Sequence, residues 1–388
     1  MTTATMKAVV VHGQGDLRIE ERPRPTPGPG EVLLAVEWGG ICGSDVAYWR
    51  HGASGTAKLR APLVLGHEFA GRLAALGPGS QEAALAAGIG QIEPGLPVAV
   101  YPAAPIGDAT LPARIAGRSN LHPQVRYYGS AAVFPHTDGG FIEYMSVPAG
   151  QLLPLPDAVD TRHGALAEPL GVAIHAVNRA LAAFGPLSAG PVLVNGAGPI
   201  GAMVVAVAKR LGARHVTACD VAAAPLRIAR ALGADSVVNT AEAPLPEGCP
   251  LVFEASGAPA ALAGVLRATA PGGVLVQVGN LPAEPVKAAL GALITREITW
   301  VGSFRFVGEM SDALALLADG LDIDAVMTHS FSLDQAGSAM AVAADRTTGS
   351  SKVMLQLGGA PAPGEVASPN GARPRTGPNR TATEQERN

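Results

Sequence analysis

Cys42, His67, Glu68 and Glu168 carry the side chains best suited to chemistry in this chain. They stand in three short segments: Gly39-Gly40-Ile41-Cys42-Gly43-Ser44-Asp45, Leu65-Gly66-His67-Glu68 and Ala167-Glu168-Pro169-Leu170. A thiolate, an imidazole and a carboxylate form the donor set that zinc takes when one coordination position stays open for substrate or water. The 388 residues hold only three cysteines (Cys42, Cys219, Cys249) and nine histidines, so a donor-rich composition does not explain the grouping. Singly, each residue has a plainer reading. Cys42 alone reads as core, His67 as a hydrogen-bonded structural histidine, and either glutamate as standing behind a metal rather than on it.

A second constellation, Gly196-Ala197-Gly198-Pro199-Ile200-Gly201, has the G-x-G-x-x-G spacing of a dinucleotide loop. Glycine is 48 of 388 residues, so about 0.7 such matches are expected by chance, and the spacing alone decides little. Its surroundings decide more. The motif follows the apolar run Val192-Leu193-Val194 and opens an apolar helical stretch, and Asp220 ends the next apolar run. Pyrophosphate would then lie on a helix N-terminus, with Gly196, Gly198 and Gly201 letting the backbone approach and Pro199 and Ile200 opening the helix. Asp220 would accept hydrogen bonds from the ribose hydroxyls and repel a 2′-phosphate, which favours NAD over NADP. The bland alternative is a tight strand–helix turn with Asp220 as a cap.

These residues need two kinds of frame. Before about residue 150 the chain has short apolar runs, such as Val9-Val10-Val11 and Val32-Leu33-Leu34-Ala35-Val36, between Pro- and Gly-rich turns, as in an all-β region. From about 191 strands alternate with helices: helices are expected over 199–211, 225–232 and 260–269. Strands are expected at Val216-Thr217-Ala218-Cys219, Val237-Val238, Leu251-Val252-Phe253 and Val274-Leu275-Val276-Gln277-Val278. That alternation predicts a doubly wound parallel sheet. A helix over 310–317 and a closing strand Lys352-Val353-Met354-Leu355 follow. From 358 to 388 Gly, Pro, Ser, Thr, Asn and Arg dominate, and a disordered tail is expected.

Composition narrows the function class. A formal net charge of −4 with dispersed Lys and Arg shows no nucleic-acid footprint. Three widely spaced cysteines give no disulfide framework and suit a reducing cytoplasm, and the first residues lack a signal pattern. The stretch 180–208 has no charged residue but is broken by Pro186, Pro191 and Pro199, which suits buried strand, turn and helix better than a membrane span.

With both constellations placed, the chain resembles the zinc-dependent medium-chain dehydrogenase/reductase superfamily over nearly all of Met6 to Leu357. The segments already quoted carry the resemblance, together with Glu254-Ala255-Ser256-Gly257 and Phe304-Arg305-Phe306. Within the superfamily it is most similar to the sorbitol dehydrogenase and L-idonate 5-dehydrogenase branch, the latter through Arg126-Tyr127-Tyr128-Gly129-Ser130 and Phe134-Pro135-His136. The resemblance implies an α/β protein: a GroES-like β catalytic domain over 1–157 and 299–357 around a Rossmann domain over 158–298. It implies Cys42 and His67 as zinc ligands, with Glu68 and Glu168 as ligands or as carboxylates just behind the metal. Only one of the two glutamates is expected to bind firmly at a time, because a second anionic ligand would weaken the Lewis acid. Ser44 would take the substrate proton onward through the cofactor ribose. Homodimers or homotetramers are implied.

Two departures stand out. The lobe that holds a second, structural zinc in many members contains no cysteine here, and His122 alone cannot close such a site, so a single catalytic zinc is expected. Ala47 stands where polyol and alcohol members commonly carry a relay histidine; His51 lies four positions further on. For the substrate, Arg305 and Arg126 could hold hydroxyls or a carboxylate in bidentate fashion, and Tyr48, Tyr128 and Trp49 could line a sugar-sized pocket. The expected activity is reversible oxidation of a secondary alcohol of an aldonate such as L-idonate, or else of a polyol such as sorbitol or xylitol. A metal-free quinone-reductase type and a catalytically degenerate NAD-binding sensor are the competing classes.

Overall fold

The computed structural model describes residues 4–282 and 284–358; the expected tail lies outside the described residues. A six-stranded, fully parallel sheet runs Ser236–Asn239, Val216–Asp220, Val192–Asn195, Cys249–Glu254, Thr269–Gln277, Thr299–Gly302. Numbered along the chain, that order is 3-2-1-4-5-6, the doubly wound arrangement whose ligand crevice opens where the order reverses, between the first and fourth strands. The first strand is buried on both faces, as a parallel sheet covered by helices requires. The uncharged stretch becomes a helix end, this strand and the helix Pro199–Arg210. No helix among the described residues is long and apolar enough to cross a membrane.

The strand Thr299–Gly302 corrects the expected boundary at residue 299. It adds in parallel to the sheet, pairing Trp300 with Leu275 and Val301 with Val276, rather than opening the return segment. Apolar strands of four residues look alike from sequence; only a partner with matching register decides where they belong.

The second frame is a mixed sheet in the order Leu152–Pro154, Pro97–Val100, Glu68–Leu76, Glu31–Ile41, Lys352–Gln356, Met327–Ser332, with Tyr144–Pro148 pairing the start of Glu31–Ile41. Both halves of the chain thus meet on one strand. Gly40 is flanked by Glu68 on one side and Met354 on the other. This register brings the Cys42 turn, Glu68 and Lys352 to one sheet end.

The helix Ala167–Phe184, which begins beside Glu168, packs on Pro199–Arg210 and Glu309–Ala318. A buried bond from His175 Nδ1 to Glu309 Oε1 at 2.7 Å fixes the second of these contacts. Burial alone would raise the Glu309 carboxyl, but His175 and the Val307 N–H hold it down to about 2. His175 is therefore engaged away from the candidate metal residues.

His163 makes a second tie. Its Nδ1 meets Asp160 at 2.7 Å and its Nε2 meets Asp324 at 2.6 Å, joining the short helix Thr161–Gly164 to the 3-10 turn Asp324–Val326 that leads into the returning strand. Asp160 first, and Asp324 with it, raise the imidazole to about 9. A folded-state pKa above the unfolded value of roughly 6.5 stabilises the fold fully below that pH, and the gain is lost as pH rises through about 9. We expect the melting-temperature gap between wild type and His163→Gln to be widest near pH 6 and closed by pH 10. A gap that stays constant over that range would show that the ion pairs contribute nothing; the side chain is 30% exposed, so screening keeps the effect small.

Candidate active site

The Cys42 sulfur, one His67 ring nitrogen and a Glu68 carboxylate oxygen lie within 4.8 Å of one another, with His67 and Glu68 buried. Local backbone chemistry produces this convergence. Cys42 caps the helix Gly43–His51, and Asp45 in its first turn accepts from the Cys42 N–H at 2.9 Å and the Gly66 N–H at 3.1 Å. One carboxylate thereby ties the cysteine turn to the histidine segment. The same Asp45 lies 3.8 Å from His67 Nδ1, where its charge acts on the ring. Gly66 turns at φ +97°, and any side chain there would strike the Phe141 ring. At Gly40 a Cβ would collide with the Glu68 carboxylate, so glycine leaves the space through which Glu68 reaches across the strand.

Glu68 reaches Lys352. The ammonium stands 2.7 Å from both carboxylate oxygens and also donates to the Ile41 carbonyl at 3.2 Å, fully buried. Burial raises the Glu68 pKa, and Lys352 pulls it back. For Lys352, burial opposes the charge, but Glu68 and Cys42 lift its pKa above the usual value. For His67, burial again opposes the charge, yet Asp45, Cys42 and Glu168 push its pKa well above that of a free imidazole. The pocket thus attracts positive charge at His67, as a divalent cation site must. The donor set fits zinc: soft sulfur, imidazole and carboxylate with room for a further ligand.

Glu168 stands outside this triangle but close enough to act on both His67 and Glu68. Its Oε1 accepts from the Tyr127 hydroxyl at 2.5 Å. Burial first, and Glu168 second, push the Tyr127 pKa far up, so the phenol stays a donor. Tyr127 also meets the His67 ring edge-on at 5.7 Å and carries the Arg305 guanidinium over its face at 4.1 Å. Ser44 lies two residues after Cys42, half-buried in the first turn of the helix that Cys42 caps.

The other proposed substrate residues separate. Arg305 is at the site. Tyr48 is buried in the catalytic-domain core, where its hydroxyl accepts from the Ala131 N–H at 3.0 Å and lies 3.4 Å from Ser130 Oγ. Arg126 and Tyr127 are neighbours on the strand Val125–Tyr127, so they face opposite ways. Arg126 and Tyr128 line an outer groove of about 610 Å³ with Arg22, His136 and Tyr144, away from Cys42. Trp49 packs half-buried against the core. His122 has one ring nitrogen near each of two backbone carbonyls, that of Gln124 at 2.7 Å and that of Ala109 at 3.1 Å.

At the nucleotide loop, Gly196 has φ +89°, and a Cβ there would meet the Ser256 backbone; one at Gly201 would meet the Gly196 carbonyl. Gly198, before Pro199 and Ile200, faces open space, where a phosphate has room against the free N–H groups of the helix Pro199–Arg210. Asp220 is held by the N–H groups of Ala197 at 2.9 Å and Ala222 at 3.0 Å. Buried Glu254 accepts from Asn195 at 2.5 Å, from the Ser256 N–H at 2.8 Å and from the Gly257 N–H at 3.0 Å, bracing the loop ends on both sides of the crevice.

Asp45, Tyr127, Lys352 and Asn120 were not singled out from sequence. Lys352 had a signal, a lone charge opening an otherwise apolar strand, and Asp45 and Tyr127 lay within motifs already quoted.

Residues 28–157 match the family model of the alcohol dehydrogenase GroES-like domain, and 199–319 match that of the zinc-binding dehydrogenases. The chain is 38% identical over 341 residues to sorbitol dehydrogenase of Gallus gallus, covering 85% of this chain and 90% of that protein. It is 35% identical over 296 residues to L-idonate 5-dehydrogenase (NAD(P)(+)) of Escherichia coli, covering 75% and 81%. The crystal structure of L-idonate 5-dehydrogenase from Escherichia coli shares the fold at a TM-score of 0.81 with 32% identity, over 91% of this chain and 98% of that one. With these likenesses beside a Cys–His–Glu cluster and a Rossmann sheet, the chain belongs to the zinc-dependent medium-chain dehydrogenase/reductase superfamily, in its sorbitol and L-idonate dehydrogenase branch, and is an oxidoreductase acting on CH–OH groups with zinc and NAD.

Proposed function

We propose that the enzyme oxidises a secondary alcohol of an aldonate, in the manner of an L-idonate 5-dehydrogenase, with Cys42, His67 and Glu68 or Glu168 holding the zinc. When bound, zinc supplies a Lewis acid for the developing alkoxide and NAD supplies the hydride acceptor. The chain's own groups do the rest. Ser44 Oγ, in the first turn of the helix that Cys42 caps, would take the substrate hydroxyl proton while releasing its own toward solvent. Lys352 balances the charge of Glu68, so that this carboxylate can sit in the donor set without cancelling the metal's positive charge. Tyr127 holds Glu168 by one oxygen and leaves the other free.

Arg305 is the observation that carries the acid reading. Its guanidinium lies over the Tyr127 ring, one hydrogen bond from Glu168, and among the arginines considered for substrate it alone is at the site. A planar, permanently charged fork matches a carboxylate better than it matches a neutral hydroxyl. We expect kcat/KM with NAD to be about tenfold or more higher for L-idonate than for sorbitol or xylitol, and Arg305→Gln to remove most of that preference. A wild-type preference for sorbitol, with Arg305→Gln weakening both classes equally, would replace this reading with that of a polyol dehydrogenase. Three free cysteines support a reducing, cytoplasmic setting, and a homodimer or homotetramer belongs to the same reading.

A further inference from the structure

Arg305 does not hold its place unaided. Its backbone is left-handed at φ +52°, a strained conformation for a residue with a long side chain, which persists only where the surroundings enforce it. The surroundings are three contacts from the catalytic domain to the crossing segment 303–308. Asn120 donates from Nδ2 to the Phe304 carbonyl at 2.7 Å. Tyr101 donates to the Val307 carbonyl at 2.6 Å and meets the Phe306 ring at 5.5 Å. The Tyr127 face lies under the guanidinium at 4.1 Å, with the Phe304 ring 4.9 Å away on the same cation.

Asn120 is 7% exposed, and its Oδ1 is buried with no protein partner. An unpartnered buried carbonyl costs free energy, so the side chain is kept there at a loss that the single bond to Phe304 only partly offsets. That bond restrains the peptide joining Phe304 to Arg305, the unit whose rotation would swing the guanidinium off Tyr127. Asn120 comes from the cysteine-free lobe, in the 3-10 turn Ser119–Leu121, and Tyr127 ends the hairpin strand that follows it. The lobe therefore grips Arg305 from its backbone and from its charged end.

We propose that Asn120 and Tyr127 are positioning residues for Arg305, and that this lobe sets the enzyme's preference for an anionic sugar acid over a neutral polyol. The inference rests on the acid reading above. Asn120 acts only through the Phe304 carbonyl; Tyr127 acts through its ring, while its hydroxyl serves Glu168 separately.

The test measures KM and kcat for L-idonate and for sorbitol, with NAD, on the zinc-loaded full chain. Asn120→Asp keeps the shape and removes the donor; it should raise KM for L-idonate about tenfold while kcat and the sorbitol KM move less than about twofold. Tyr127→Leu should do the same to the L-idonate KM. Tyr127→Phe keeps the ring, so it should keep the acid preference and change kcat through Glu168. In an Arg305→Gln background, Asn120→Asp should add nothing to the acid KM, because both changes remove one contact. Melting temperatures and zinc content, measured on each variant, separate this from a damaged fold. If Arg305→Gln itself leaves the acid-to-polyol ratio unchanged, the acid reading fails and the inference with it. If Arg305→Gln collapses the ratio while Asn120→Asp and Tyr127→Leu leave it intact, or if their effects add fully to that of Arg305→Gln, the positioning role alone is refuted.

Discussion

Wild-type protein is expected to carry one zinc per chain, and Cys42→Ser or His67→Ala to release it and lower kcat/KM by about 10³-fold or more. The size follows from what the metal does: a Lewis acid at a developing alkoxide contributes several kcal/mol, and each 1.36 kcal/mol is a factor of ten. The release follows from the geometry. Three donor atoms lie within 4.8 Å, and losing the sulfur or the imidazole leaves two, too few to hold zinc against water. Elemental analysis of dialysed protein, with steady-state rates on the same samples, checks both halves. Two zinc ions per chain would mean that the cysteine-free lobe binds metal after all, although His122 alone cannot close a site there. A zinc-free wild type with full activity would remove the metal from the mechanism.

Much of this site was legible in the sequence because its parts are local. A cysteine in a glycine-flanked turn, a Gly-His-Glu triplet and a glycine loop between a strand and a helix each declare themselves within a few residues. Contacts that join distant segments did not. Lys352 lies 284 positions from Glu68, and nothing in either segment announces the register that sets Gly40 between Glu68 and Met354. Tyr48 shows how far local reading goes: its place near a metal ligand suggests a substrate contact, while its burial in the core and its bond from the Ala131 N–H emerge only from the fold. Strand alternation turns Arg126 to the outer groove and Tyr127 to the opposite face, toward His67 and Glu168. The parallel sheet was readable from its alternation, but the place of its sixth strand was not, because a strand of four residues carries no mark of its sheet.

Lys352→Met tests the least visible of these contacts. In zinc-free protein we expect it to cost about 3–5 kcal/mol, because the Glu68 carboxylate is then buried without its partner. Glu68→Gln combined with Lys352→Met should recover most of that loss, since no charge is left to desolvate; a buried pair removed together is often nearly neutral. Zinc should narrow the gap, because the metal offers Glu68 a second positive partner. That substitution carries a catalytic penalty. With Lys352 gone, the metal faces the full charge of Glu68 as well as that of Cys42, so its pull on the alkoxide weakens, and kcat should fall about 10- to 100-fold in fully loaded enzyme. Denaturant titrations with and without zinc, alongside kcat at saturating metal, separate the two effects. A Lys352→Met protein as stable as wild type without zinc, or a double variant that sums both single losses, would show that the ion pair is not what holds Glu68. Full kcat in the single variant would show instead that Lys352 serves the fold and leaves the metal's charge untouched.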